Sequence, residues 1–287
     1  MKILIADIFL TGRSHAKWKD GFVFYYALQN LGHEVTICGK NCEISEFEIP
    51  NIAHNYDLII ITENYPHATW DPWGPWGWWD WGRIDVPKIF WAIDTHLVDY
   101  NHFIQNGKID YVAFNNKNHM NNINVKCNKI YLPYGISKKH YNINYNENKI
   151  NDISFIGGIN PERNKYIEKY SIKTFQLFGE DYVREMQRSK ICFNKSISDD
   201  LNAKNLEIIG SGTFMLSNFN ENFLNFMDNN ECIKEMLYKD DDELDRKIKY
   251  YLSHDSEREE ISKKAREYLF NNHSYEKRSE YLLGQIK

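Results

Sequence analysis

The chain has 287 residues, 42% of them hydrophobic and 26% charged, too long for one ordinary domain and apolar enough to fill two cores. A formal net charge of −5 argues against non-specific nucleic-acid binding, which needs basic surface to displace counterions. The five cysteines, Cys38, Cys42, Cys127, Cys192 and Cys232, are odd in number and scattered; with no second pair at zinc spacing they read as free thiols in a reducing compartment.

Residues 2–8 are a continuous β-rich run, expected as a first buried strand rather than a secretion signal, since the apolar stretch is short and no small-residue cleavage site follows. No segment approaches the roughly 20 apolar residues of a membrane helix, so a cytoplasmic protein is expected. A polar turn over 12–20 leads to a helix over 21–31 that Gly32 stops. Further strands are predicted at 34–38, 57–62, 88–93, 111–114 and 129–132, the last ended by Pro133. The uniformly apolar 57–62 run suits a strand covered on both faces. Residues 137–150, rich in Asn, Lys and Tyr, lack apolar periodicity and read as a linker.

The pattern then restarts. Strands are predicted at 152–156, 174–178, 190–194 and 213–217, with helices at 166–170, 181–189, 203–210, 242–252, 256–270 and 274–287. Strand, crossover and strand in alternation give an α/β fold of two Rossmann-like, doubly wound domains. The expected domains are 1–140 and 151–272, with 273–287 a closing helix that packs back on the first. Ligands of open parallel sheets sit beyond the carboxyl ends of the strands, so two such domains facing each other would line one cleft.

The strongest chemical signal is residues 202–216, where Lys204 and Glu207 lie on a helix that runs into Gly210-Ser211-Gly212 and an apolar strand. A carboxylate accepts both hydroxyls of a ribose, and small residues let backbone N–H groups approach phosphates. The same residues also fit a surface helix with a glycine cap. The segment resembles the donor-binding signature of GT-B glycosyltransferases, in particular the spore-maturation-protein (CgeB-like) family: Lys204, Leu206, Glu207 and Gly212 match in order, with Lys204 where that family usually has Arg. The resemblance implies Glu207 on the ribose and a second carboxylate, Asp199 beside Asp200, near the donor sugar. It extends to 152–163, where Gly157 and Gly158 would let backbone approach a diphosphate and Arg163 would neutralise it. It extends also to Phe178 and Gly179 at the end of the next strand, as a nucleobase contact, and to the closing helices. Asp240–Asp242 are read as helix-capping acids, not as a metal-binding acidic motif.

In the first half, Asp94 and His96 end a buried strand, and the resemblance implies that His96 faces the donor sugar with Asp94 orienting it or touching the acceptor; a structural histidine is the competing reading. Gly12, Arg13, Ser14 and His15 occupy the first strand–helix loop, the kind that lines a cleft. Six of the eight tryptophans fall within 70–82, a Pro- and Gly-rich loop. Trp73, Trp76, Trp78 and Trp79 are candidates to stack on an acceptor sugar, against a self-packed loop or a subunit interface. Lys- and Asn-rich stretches such as 115–124 read as solvated loops.

The resemblance implies transfer of a sugar from a nucleoside-diphosphate sugar, UDP-linked, to a hydroxyl of a glycan, protein or other acceptor. It implies retention of configuration and no metal or cofactor, the nucleotide sugar being substrate. The alternatives are a non-catalytic carbohydrate- or nucleotide-binding protein of the same fold and a DNA-modifying glycosyltransferase, in which the tryptophan loop grips an extruded base.

Overall fold

The computed structural model describes residues 1–7, 18, 21–39, 42, 44–45, 48–62, 81–93, 100–196 and 201–286. The chain divides into two compact units, residues 1–134 with 275–287, and 135–274.

The first unit is a parallel six-stranded sheet. Its elements are β1 (Lys2–Ala6), α1 (Gly21–Asn30), β2 (Glu34–Cys38), α2 (Ile49–Ile52), β3 (Leu58–Ile61), β4 (Lys88–Ala92), α3 (Asn101–Asn106), β5 (Tyr111–Phe114), α4 (Lys117–Asn122) and β6 (Asn128–Tyr131). The spatial order is β2-β1-β3-β4-β5-β6. The strands are continuously apolar because each face has its own core and alternate side chains enter each. Leu4, Ala6, Ile59, Ile61, Phe90 and Ala92 fill one side. Ile3, Ile5, Leu58, Ile60, Ile89 and Trp91 fill the other, under Phe24 and Leu28 of α1. The buried Asp7 follows β1 and accepts the Gly21 N–H at 2.7 Å, satisfying an amide at the start of α1.

The second unit carries a five-stranded parallel sheet. After α5 (Lys138–Tyr141) come β7 (Asn151–Ile156), α6 (Pro161–Lys169), β8 (Lys173–Phe175), α7 (Gly179–Gln187), β9 (Ser189–Asn194), α8 (Ala203–Ser211), β10 (Phe214–Asn218), α9 (Glu221–Phe226), α10 (Glu231–Glu235), β11 (Leu237–Tyr238), α11 (Asp241–Ser253) and α12 (Asp255–Asn272). The order is β11-β10-β9-β7-β8, so connections leave β7 and β9 in opposite directions and a switch point opens between their carboxyl ends. The last helix, α13 (Tyr275–Gly284), belongs to the first unit, where Tyr275 and Leu282 join the α1 side of its core.

Two local features differ from sequence expectation. Residues 137–150, expected as a linker, pack on the second unit: His140 and Tyr141 are buried, Gln187 donates to the Ile143 carbonyl at 2.7 Å, and Arg184 pairs with Glu147 at 3.0 Å. Their anchors are backbone carbonyls and polar side chains, which leave no apolar period. The strand expected over 174–178 ends at Phe175, because Phe178 precedes α7 with an exposed side chain and Gly179 turns the chain at φ +64°. The abundant asparagines have structural work: Asn116, Asn160, Asn202, Asn220 and Asn230 each cap a helix by accepting a backbone N–H.

Candidate functional site

The carboxyl ends of β7 and β9 gather four of the sequence-derived candidates, Gly157, Gly158, Arg163 and Lys204. Strand β7 leads into Gly157, whose φ of +147° lies where L side chains rarely go. A Cβ on Gly157 would sit 3.1 Å from the Lys204 ammonium, whereas one on Gly158 would meet nothing within 4 Å. Gly157 is therefore a close-approach glycine, and Gly158 borders open space.

Two cations bracket this turn. Arg163 lies in the first turn of α6, where the Asn160 side chain accepts its N–H at 2.8 Å. Its Nε donates to the Lys195 carbonyl at 3.1 Å and its Nη1 to the Gly158 carbonyl at 2.8 Å, while the guanidinium lies 5.4 Å from the Phe155 ring centre. Arg163 thus spans the two strand ends at the switch point, and three of its five N–H donors remain beyond those two bonds. Lys204 enters from the first turn of α8; its ammonium donates to the Ile156 carbonyl and, at 3.1 Å, to the Tyr182 hydroxyl.

Glu207 sits one turn further along α8, half-buried, and its Oε2 accepts the Tyr182 hydroxyl at 2.6 Å. A carboxylate has about four lone-pair sites, so capacity remains for a diol. Burial first, and the neighbouring Glu207 charge second, push the Tyr182 phenol well above its ordinary value, so it keeps its proton and donates to the carboxylate. Phe178 lies just past the end of β8, with a side chain 54% exposed.

Gly212 is not part of this cluster. It caps the opposite end of α8 in the left-handed region, φ +82°. Arg266 of α12 packs over it and donates to the Gly210 carbonyl at 2.8 Å. Gly210 is a packing glycine, since a Cβ there would lie 2.8 Å from Ile136 side-chain carbons. Asp240 accepts the Glu243 N–H at 2.8 Å while Glu243 takes the Lys239 N–H at 2.9 Å, a reciprocal cap of α11. Among the described residues no group of three His, Cys, Asp or Glu side chains is placed to hold a metal, and no helix is long and apolar enough to cross a membrane.

Asp94, His96, Asp199, Asp200, Trp73, Trp76, Trp78, Trp79 and residues 12–15 lie outside the described residues. Sequence reasoning missed Tyr182. In α7 its spacing is that of an ordinary core aromatic beside Val183 and Met186, and only the fold brings its hydroxyl to α8.

Residues 156–284 match a family described as glycosyl transferase-like. No curated protein sequence matches the chain. Among solved structures, an α-glucosyltransferase in complex with UDP and a 13-mer DNA aligns with a TM-score of 0.71 and 12% identity, over 99% of this chain and 98% of that one. The T4 phage β-glucosyltransferase aligns at 0.67 with 14% identity over 100% of both chains. Anabaena HepE, solved with UDP and glucose, aligns at 0.63 with 10% identity, over 99% of this chain and 98% of that one. The two parallel sheets with flanking helices are the GT-B architecture, and residues 156–284 are similar to the glycosyl transferase-like family.

Proposed function

Taking the chain as a glycosyltransferase of the GT-B fold, we propose that it transfers a sugar from a UDP-linked donor to an acceptor hydroxyl, with the donor nucleotide held by the second unit. The observation that carries the reading is the pairing of Arg163 and Lys204 around the Gly157–Gly158 turn, with Glu207 one helical turn from Lys204. Departure of a nucleoside diphosphate builds negative charge on its terminal phosphate, and preformed cations in a fixed scaffold stabilise that charge without reorganising. Arg163 and Lys204 are tied to strand-end carbonyls, so they are already in place. Glu207 accepts the ribose hydroxyls and Phe178 offers an aromatic face to the base. UDP is favoured as the nucleotide because structural neighbours, HepE and the DNA glucosyltransferases, were solved with it.

With two side-chain cations for the diphosphate, the reading needs no divalent metal. The pattern of Lys204, Leu206 and Glu207 supports the spore-maturation-protein (CgeB-like) type and retention of configuration, with Asp199 and His96 the groups assigned to the sugar, Asp94 beside His96, and Trp73, Trp76, Trp78 and Trp79 assigned to the acceptor. Neighbours solved with DNA or described as a DNA-modifying enzyme raise a nucleic-acid acceptor as the second reading. The net charge of −5 favours a small-molecule, glycan or protein hydroxyl, because duplex binding scales with the phosphates neutralised.

A thermal-shift panel of nucleoside diphosphates tests the nucleotide, and UDP release from UDP-sugars in the presence of EDTA tests the reaction. The reading expects UDP to raise the melting temperature above every other diphosphate through binding linkage, and UDP release to persist with EDTA. A panel in which no nucleoside diphosphate shifts the melt would remove the reading. Salt-sensitive retardation of duplex DNA would favour the second acceptor class.

A further inference from the structure

The Tyr182 hydroxyl touches both the Lys204 ammonium, at 3.1 Å, and the Glu207 carboxylate, at 2.6 Å. Its side chain is buried in α7 against α8. The Lys204 ammonium also lies 5.2 Å from the centre of the Tyr182 ring, where the face of an aromatic attracts a cation. Lys204 and Glu207 are three residues apart on α8, a spacing at which opposite charges are neighbours and fall together when nothing separates them. Such a collapse would neutralise the cation meant for phosphate and the carboxylate meant for ribose.

We infer that Tyr182 is a positioning residue that holds Lys204 and Glu207 in separate, fixed orientations, so that the diphosphate and the ribose 2′-hydroxyl of the donor are recognised as one unit. The inference rests on the donor-site reading above. The hydroxyl has a single proton. That proton goes to Glu207, so the oxygen lone pair is what Lys204 donates to, and the three groups form a directed chain from ammonium to carboxylate. The phenol's raised value keeps that direction fixed at neutral pH. A nucleotide lacking the 2′-hydroxyl leaves the Glu207 end underused, and the Lys204 end is then weakened with it.

The test is calorimetric titration of UDP and 2′-deoxy-UDP into wild type and Tyr182→Phe, with a thermal melt of each. Wild type is expected to prefer UDP. Tyr182→Phe is expected to bind UDP about tenfold more weakly, the size of a lost hydrogen bond to a charged group, and its preference for UDP over 2′-deoxy-UDP is expected to fall to roughly threefold or less. A purely structural tyrosine would lower the melting temperature and leave that preference alone. In a Glu207→Ala background the Tyr182→Phe change should leave the preference between the two ligands unaltered. Lys204→Met, which breaks the other end of the chain and leaves the hydroxyl in place, should shrink the same preference and serves if Tyr182→Phe does not fold. Wild-type affinity and wild-type preference in Tyr182→Phe, or an undiminished preference in Lys204→Met, would overturn the inference. Equal binding of the two nucleotides by wild type would instead overturn the ribose reading itself, and the inference with it.

Discussion

Replacing Gly157 by alanine separates the backbone and charge parts of the account. At φ +147° an L residue is strained by about 1–3 kcal/mol, and none of the neighbouring atoms has to be crushed to reach that figure. The closest atom to the new methyl is the Lys204 Nζ at 3.1 Å, with Cε at 3.4 Å, the flexible end of a long side chain. The strain should therefore appear as stability, and the displaced ammonium as binding. A loss of ~2 kcal/mol in a unit of this size lowers the melting temperature by roughly 4–8 °C. Moving the Lys204 ammonium off the Ile156 carbonyl should weaken UDP about tenfold, as for the loss of one charged hydrogen bond. Differential scanning calorimetry with and without UDP, together with a UDP titration, measures both. Gly158→Ala is the matched control: with open space at its Cβ and no positive φ, it should melt within about 1 °C of wild type, since strain-free surface changes cost little. If Gly157→Ala melts and binds like wild type, the close-approach argument for this turn is wrong.

Arg163→Ala should weaken UDP more than uridine, because the guanidinium faces the diphosphate in this account; equal loss for both, by competition binding, would count against it. Gly210→Ala should cost about 1–3 kcal/mol through overpacking against Ile136, read from denaturant melts, and leave UDP affinity unchanged because the new methyl meets Ile136 and Tyr141 rather than Lys204 or Glu207. His140 is pulled down to about 4 by burial, with Lys139 adding to the effect. The unfolded chain, near 6.5, takes up a proton that the folded state refuses, so this contribution is present above pH 6.5 and lost as pH falls from 6.5 to 4. It should amount to on the order of 3 kcal/mol, and His140→Gln should flatten urea-melt stability across that window.

The strands were legible in sequence because both faces of each sheet are covered: Leu58–Ile61 is buried throughout, and a continuous apolar run has few other uses. The turn after β7 was legible because glycines and a charge cluster at a strand end, as at Gly157, Gly158 and Arg163. Short helices such as Asn101–Asn106 and Glu221–Phe226 were missed, since six residues show too little of a 3.6-residue period. Glycine alone did not separate two tasks: Gly157 admits a lysine, while Gly212, taken for a donor contact, caps a helix under Arg266. Tyr182 was invisible for a different reason. Its role depends on α7 lying against α8, a tertiary fact with no local signature.

A crystal structure of the UDP complex bears most directly on the central claim. The account predicts ribose hydroxyls within hydrogen-bond distance of Glu207 and phosphate oxygens on Arg163 and Lys204 beside the Gly157–Gly158 turn. UDP bound elsewhere, with Glu207 still holding only Tyr182, would contradict it.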